Sequence, residues 1–145
     1  MNAPADPQFA ERIRASFARQ KAMALIGASL TLVEPGHVEV ALPWREDLTQ
    51  QKGFVHGGII GMIADSACGY AAYSLMPADC TLVTTEYKIN LLTSATSSLV
   101  ARGEVVKAGR TLTVARAEVY AHDRTHIATM QQTLMMLSGR PDHRE

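Results

Sequence analysis

A run of twenty residues, 57–76, reads GGIIGMIADSACGYAAYSLM, and Asp65 is its single formally charged side chain. A stretch this long and this apolar is predicted to form a buried helix. Its glycine and serine residues and its one carboxylate argue against a membrane span. A carboxylate without a partner is costly to bury, so Asp65 needs either a hydrogen-bonding partner or a chemical role.

Length and composition predict one globular domain over residues 1–145. The chain is 47% apolar and 19% charged, with 14 basic and 14 acidic residues, so its overall charge gives no reason to expect nucleic acid or a membrane as a partner. Two cysteines without metal-ligand spacing, and a start without a secretory signal, favour a cytoplasmic location. The polar ends, residues 1–7 and 138–145, are expected to be flexible.

The rest of the sequence predicts one short helix and six strands around the apolar run. Apolar residues recur at helical spacing over residues 8–24, where Arg12 is expected to face solvent. Strands are predicted at 26–33, 37–42, 82–92, 97–107, 111–121 and 126–137. Short turns join neighbouring strands, so the fold class is α+β: an antiparallel β-sheet wrapped around one long central helix. One face of that sheet is left to be covered, which favours self-association.

Three motifs together resemble the hotdog-fold acyl-CoA thioesterases, and the phenylacetate-pathway (PaaI-like) branch most closely. They are the His-Gly-Gly opening of the central helix with Ala64-Asp65 inside it, the strand VTTEYKINLL, and the segment GRTLTVARAEV. The resemblance covers about residues 25–137. It implies a hotdog fold, hydrolysis of an acyl- or aryl-CoA thioester, and a homodimer or homotetramer.

The resemblance also implies catalytic roles for five residues. Gly57 would donate its backbone N–H to the thioester oxygen, and Asp65 would be the nucleophile or general base. His56 would orient the loop or the thioester, and Gln50 would position the carbonyl or the water. Thr84 would assist the attacking water. Four of these residues also have a structural interpretation: His56 as a cap, Asp65 as a satisfied structural carboxylate, Gln50 as a loop residue and Thr84 as a strand former.

Binding roles are implied for a second group. Gly58 leaves the helix start unshielded, and Gly109 and Arg110 lie in a turn that helps to hold coenzyme A in relatives. Phe54 is a candidate lining residue of the acyl pocket. Thr93-Ser94-Ala95 stands where many relatives have Arg-Pro-Ala, so the usual phosphate-binding arginine is missing.

Helical geometry indicates where the two halves of such a site must come from. Asp65 follows Gly57 by eight residues, or about 12 Å of helix at ~1.5 Å per residue. One carbonyl carbon cannot contact both residues of the same chain. Asp65 of one subunit is therefore expected to meet Gly57 of another across a two-fold axis.

Two other functions fit the sequence less well. A hotdog hydratase would pair a histidine closely with a carboxylate, and the nearest candidates, Asp47 and His56, are nine residues apart. A non-catalytic acyl-CoA-binding protein would not need Asp65. The remaining histidines are scattered, so no metal is predicted, and no cofactor is expected beyond the coenzyme A of the substrate.

Overall fold

The structure is a computed structural model that describes residues 3–143. The helices are α1 (Phe9–Arg19), α2 (Lys21–Ile26) and α3 (Gly57–Tyr73), and the strands are β1 (Ser29–Glu34), β2 (His37–Leu42), β3 (Cys80–Leu91), β4 (Leu99–Ala108), β5 (Leu112–Ala121) and β6 (His126–Ser138). A single 3₁₀ turn, Glu46–Leu48, lies between β2 and α3. None of the helices in this described part is long and apolar enough to cross a membrane.

Within residues 3–143 the six strands form one antiparallel sheet in the order β1-β2-β4-β5-β6-β3. The long helix α3 packs against the inner face of this sheet, with β4, β2 and β5 as its main neighbours. The predicted α+β class, a sheet wrapped around one central helix, is confirmed. Strand β3 lies at one end of the sheet, so its outer edge has no strand partner in the described chain.

Small side chains on β4 and β5 let the helix approach the sheet closely. Ala101, Ala115 and Ala117 are fully buried. A Cβ atom at Gly103 would lie 2.3 Å from both the carbonyl carbon and the oxygen of Ala67, in the middle of α3. The helix backbone therefore rests directly on the sheet at Gly103.

We expect Gly103→Ala to lower the free energy of unfolding by about 3 kcal/mol, because the added methyl group meets backbone atoms that cannot rotate away. Urea unfolding measures the change. The control is Gly69→Ala in α3, where a Cβ would lie 3.9 Å from its nearest neighbour. That variant is expected to gain stability, since alanine is favoured over glycine in a helix by roughly 0.5–1 kcal/mol. Equal stability of the two variants would contradict the close approach at Gly103.

The single helix predicted over residues 8–24 is wrong, because the structure has two helices there. Gln20 adopts an extended conformation (φ −74°, ψ 97°) between α1 and α2. Gly27 then ends α2 in the left-handed conformation (φ 76°), which glycine adopts without a Cβ penalty. As a result β1 begins at Ser29 and not at residue 26 as predicted.

The prediction that Arg12 faces solvent is also wrong. Its guanidinium donates hydrogen bonds to the carbonyl oxygens of Tyr73 (3.2 Å), Met76 (2.8 Å) and Pro77 (2.6 Å). Its Nε lies 3.1 Å from Asp6 Oδ2. A cation at the carbonyl end of a helix satisfies groups that have no partner within the helix. Arg12 therefore fastens α1 to the C-terminal end of α3.

The C-terminal segment contacts α1 and the start of β3. Asp142 accepts hydrogen bonds from Ser16 Oγ (2.5 Å), Arg19 Nη2 (2.9 Å) and Thr81 Oγ1 (2.9 Å). These contacts draw residues after β6 back towards the helices. The predicted flexibility of the two chain ends stays a prediction.

Candidate active site

Asp65 lies half-buried in α3, where it faces β3 and β6. Its Oδ1 accepts hydrogen bonds from Thr84 Oγ1 (2.8 Å) and Gln132 Nε2 (2.6 Å). Gln132 Nε2 also lies 2.9 Å from Thr84 Oγ1, so the three side chains contact one another in a triangle. Among the described residues, Asp65 Oδ2 accepts no hydrogen bond. The carboxylate therefore has partners for one oxygen and leaves the other open.

A bulge in β3 directs Thr84 at the helix. The pairing of β3 with β6 shifts between Thr84 and Glu86, and bulges of this kind re-aim side chains next to functional sites. Because of the extra residue, both Thr84 and Tyr87 face α3. Thr84 reaches Asp65, and the Tyr87 hydroxyl lies 3.5 Å from the position of a Cβ at Gly61.

A cavity of about 780 Å³ opens beside Asp65 and Thr84. Its walls come from the end of α1 and the start of α2, one face of α3, the beginning of β3 and the C-terminal segment. Tyr70, Tyr73 and Leu82 are the largest apolar side chains that line it. This volume lies within the range of cavities that hold small organic ligands.

The Tyr70 hydroxyl belongs to a network of hydrogen bonds among residues that line this cavity. It lies 2.9 Å from Gln20 Nε2 and 3.1 Å from Ser16 Oγ, and Ser16 in turn donates to Asp142. Burial raises the pKa of Tyr70 above its ordinary value, so the phenol stays protonated at neutral pH. The cavity thus combines apolar side chains with hydrogen-bonding groups.

The N-terminus of α3 presents a backbone N–H that no other group in residues 3–143 uses. His56 is the N-cap residue, and its Nδ1 accepts a hydrogen bond from the Gly58 N–H at 2.8 Å. In residues 3–143 the Gly57 N–H has no hydrogen-bond partner. It points out from the positive end of the helix dipole, where an oxygen carrying negative charge is favoured. His56 therefore acts as a cap here, and the N–H of Gly58 is already used by that cap.

Gly57 lines a second cavity of about 230 Å³ together with Gln50 and Phe54. The loop that carries these residues closes through a hydrogen bond from Gln50 N to Phe54 O (2.8 Å). The Gln50 side-chain oxygen accepts a hydrogen bond from Lys52 N, and the Gln50 amide nitrogen donates none within residues 3–143. Three of the predicted site residues therefore meet at the start of α3.

The two groups of predicted residues are not brought together within one chain. Asp65 and Thr84 line the larger cavity, whereas Gly57 and Gln50 line the smaller one. The separation follows from the helix, since eight residues span about 12 Å at ~1.5 Å each. Each group is a candidate half-site, because it holds only some of the residues that the resemblance implies for one site.

Gly109 and Arg110 lie in the turn between β4 and β5, and they line neither of these two cavities of residues 3–143. The turn itself requires glycine, because a Cβ at Gly109 would lie 2.4 Å from Leu112 O. Their implied contact with coenzyme A stays a prediction.

Asp47 and His56 do not form the close pair that a hydratase would need. Both carboxylate oxygens of Asp47 accept hydrogen bonds from Arg45, at 3.0 and 2.8 Å. The hydrogen bond from Arg45 lowers the pKa of Asp47. His56 Nδ1 is engaged with Gly58, so in the described chain neither member of the pair contacts the other.

Comparison with known families identifies the family of this chain. The thioesterase superfamily matches residues 52–128, more than half of the chain and a span that includes Gly57, Asp65 and Thr84. The chain belongs to the thioesterase superfamily. It is a thioester hydrolase with the hotdog fold, and the predicted family is confirmed.

Solved structures and other relatives agree with this assignment. A thioesterase family protein from Silicibacter pomeroyi is 50% identical in sequence and superposes with a TM-score of 0.87. The match covers 90% of this chain and 99% of that one. A Halobacterium salinarum protein with a provisional esterase name is 30% identical over 102 residues, 67% of this chain and 68% of its own length. The E. coli PaaI protein of the phenylacetic acid degradation operon gives a TM-score of 0.86 at 18% identity, covering 93% of this chain and 97% of its own. At that identity the likeness is one of fold.

Sequence reasoning missed Gln132. This residue is fully buried on β6 between Met130 and Leu134, the apolar residues two positions away on the same face of the strand. The sequence does carry a signal: Gln132 falls on the face of the strand that is otherwise apolar, and a buried glutamine needs hydrogen-bond partners. Its partners, Asp65 and Thr84, could not be named without the pairing of β6 with β3.

Proposed function

We propose that this thioester hydrolase acts on acyl- or aryl-coenzyme A and releases the free acid and coenzyme A, at sites shared between two subunits. The observation that carries the proposal is the pair of half-sites: a free N–H at Gly57 beside Gln50, and a carboxylate at Asp65 held by Thr84. Acyl transfer needs a donor for the developing oxyanion and a base or nucleophile, and each half-site supplies one of them.

The Gly57 half-site suits the thioester oxygen. When a nucleophile adds to the carbonyl carbon, that oxygen becomes negative and needs hydrogen-bond donors. The Gly57 N–H at the helix start and the Gln50 amide nitrogen can both donate to it. One such donor stabilises the transition state by roughly 3 kcal/mol in measured cases.

The Asp65 half-site suits the attacking group by either of two routes. As a general base, Asp65 takes a proton from water, the water oxygen adds to the carbonyl carbon, and the C–S bond breaks to release coenzyme A thiolate. As a nucleophile, a carboxylate oxygen of Asp65 adds to the carbon and expels the thiolate, and water then hydrolyses the resulting anhydride. Thr84 holds the other oxygen in both routes.

The outer edge of β3 supports a dimer as the working unit. This strand of twelve residues is a free sheet edge in the described chain. Val83, Tyr87, Leu91 and Leu92 on or beside it are large apolar residues with more than two fifths of their surface exposed. A long apolar edge pairs readily with another chain. In the proposed dimer, two copies join at this edge by a two-fold axis, and Asp65 of each subunit works with Gly57 of the other.

The larger cavity is the proposed acyl pocket. Its wall of Tyr70, Tyr73 and Leu82 suits phenylacetyl, hydroxybenzoyl and medium-chain acyl groups alike. The proposed chemistry uses no metal and no cofactor apart from the coenzyme A of the substrate. We also propose a cytoplasmic location, because both cysteines are free thiols.

Release of free thiol from a panel of esters tests the proposal. The panel holds acetyl-, hexanoyl-, benzoyl-, phenylacetyl- and hydroxybenzoyl-CoA, each assayed with and without EDTA. We expect turnover of at least one ester, unchanged by EDTA. A thioester that binds tightly without turnover would contradict hydrolysis of coenzyme A esters and favour a binding protein, and loss of activity in EDTA would contradict the metal-free chemistry.

A further inference from the structure

Gln132 contacts both members of the Asp65 half-site although it lines neither the 780 Å³ cavity nor the 230 Å³ cavity. Its Nε2 lies 2.6 Å from Asp65 Oδ1 and 2.9 Å from Thr84 Oγ1. An amide nitrogen carries two hydrogens, so it can donate one to each oxygen. The Thr84 hydroxyl then accepts from Gln132 and donates its own hydrogen to Asp65 Oδ1 at 2.8 Å.

The arrangement costs the folded protein a hydrogen bond. Gln132 Oε1 is buried and has no partner among residues 3–143. Rotating the amide by half a turn would not help, because Oε1 would then face the carboxylate oxygen at 2.6 Å, acceptor against acceptor. A buried carbonyl without a partner destabilises a fold. An apolar side chain of equal length would avoid this cost, so packing alone gives no reason for glutamine here.

We propose that Gln132 is a positioning residue for hydrolysis, and that it selects Oδ2 as the reacting oxygen of Asp65. Thr84 and Gln132 both donate to Oδ1 and fix the plane of the carboxylate. Oδ2 accepts no hydrogen bond within the described chain, and Asp65 lines the larger cavity. Oδ2 is then the atom that takes the proton from water or adds to the thioester carbon. The inference rests on the proposed function and adds a residue and an atom to it.

The test compares Gln132→Met with Gln131→Met. Methionine keeps the length and flexibility of glutamine and removes the amide. Gln131 is the adjacent residue, exposed on the opposite face of β6, and makes the matched control. We expect Gln132→Met to lower kcat about 10- to 100-fold, since loss of orientation at a reacting group has effects of this size. KM should stay within about threefold and the midpoint of thermal unfolding should stay equal or rise, because the unpaired oxygen is gone.

A second comparison separates positioning from a general structural effect. In an Asp65→Asn background, Gln132→Met should lower kcat no further, because the group it positions is already lost. Three outcomes would overturn the inference. The first two are an unchanged kcat in Gln132→Met and a change confined to KM. The third is a fall in kcat in the Asp65→Asn background as large as the fall in the wild-type background. If circular dichroism shows that Gln132→Met does not fold, Gln132→Asn, which keeps the amide but is one methylene shorter, is judged by the same criteria.

The failure of this inference differs from the failure of the proposed function. A wild-type protein that hydrolyses none of the five esters overturns the proposed function and the role of Gln132 with it. If the wild-type protein hydrolyses one of them, and Gln132→Met and Gln131→Met have the wild-type kcat on that ester, only the role of Gln132 is overturned.

Discussion

Replacement of Asp65 by asparagine is expected to lower kcat for thioester hydrolysis at least about 100-fold. Asparagine keeps the shape of the side chain, and its carbonyl oxygen can still accept from Thr84 and Gln132. The atom at the position of Oδ2 becomes an amide nitrogen, which neither takes a proton from water nor attacks a carbonyl carbon. The measurement is thiol release from the best ester of the panel, with size-exclusion chromatography to confirm an unchanged oligomer.

Asp123→Asn is the matched control for this experiment. Asp123 lies in the turn between β5 and β6, where its carboxylate accepts a hydrogen bond from Thr125 N (3.0 Å). Asp123→Asn changes the net charge by the same amount as Asp65→Asn. Because Asp123 lies on the surface away from the site, kcat should stay within about twofold of the wild-type value. Equal activity of Asp65→Asn and wild type would mean that Asp65 is structural.

The second large effect is expected from Gly57→Pro. Proline removes the backbone N–H and is tolerated at the first position of a helix, where that N–H has no partner within the helix. His56 already has the extended conformation that a following proline requires (φ −60°, ψ 134°). We expect kcat to fall about 10²- to 10³-fold, the effect of losing one oxyanion donor.

Gly57→Ala separates the lost N–H from the added bulk. Both variants place a Cβ close to Leu91 Cδ1, at 2.6 Å, but that atom is the end of a side chain and can move. Alanine keeps the N–H, so kcat should stay within about tenfold of the wild-type value. This fall is smaller than the one expected when an oxyanion donor is lost. An equal loss in the two variants would assign the effect to space around the helix start and would contradict an oxyanion role for Gly57.

Most of the fold could be predicted because its main signals are local. The apolar run 57–76 and the alternating strands carry their structure in spacing and composition. The errors lie where single residues change the backbone. Gln20 is ordinary within a helical pattern, yet it separates α1 from α2. Gly27 lies inside the strand predicted at 26–33, yet it ends α2. Arg12 was misplaced because the carbonyl oxygens it binds lie more than sixty residues away.

The candidate site could be predicted only in part, because its geometry is not local. Gly57 and Asp65 stand out as a helix start and as a single charge in an apolar run. The contact of Asp65 with Thr84 depends on a bulge in β3, and the contact with Gln132 depends on the register between β3 and β6. Neither feature has a signal in a single sequence, so the contact of Gln132 with Asp65 and Thr84 could not be predicted.

A site shared between subunits is tested most directly by mixing two inactive variants, Asp65→Asn and Gly57→Pro. In a mixed dimer, one site carries both substitutions and the other carries neither, if Asp65 of one chain works with Gly57 of the other. Random exchange of subunits should then restore about a quarter of the wild-type activity, since half of the dimers are mixed and each has one intact site. Activity that stays at the level of the separate variants, after exchange has been verified by co-purification of differently tagged chains, would contradict the shared site.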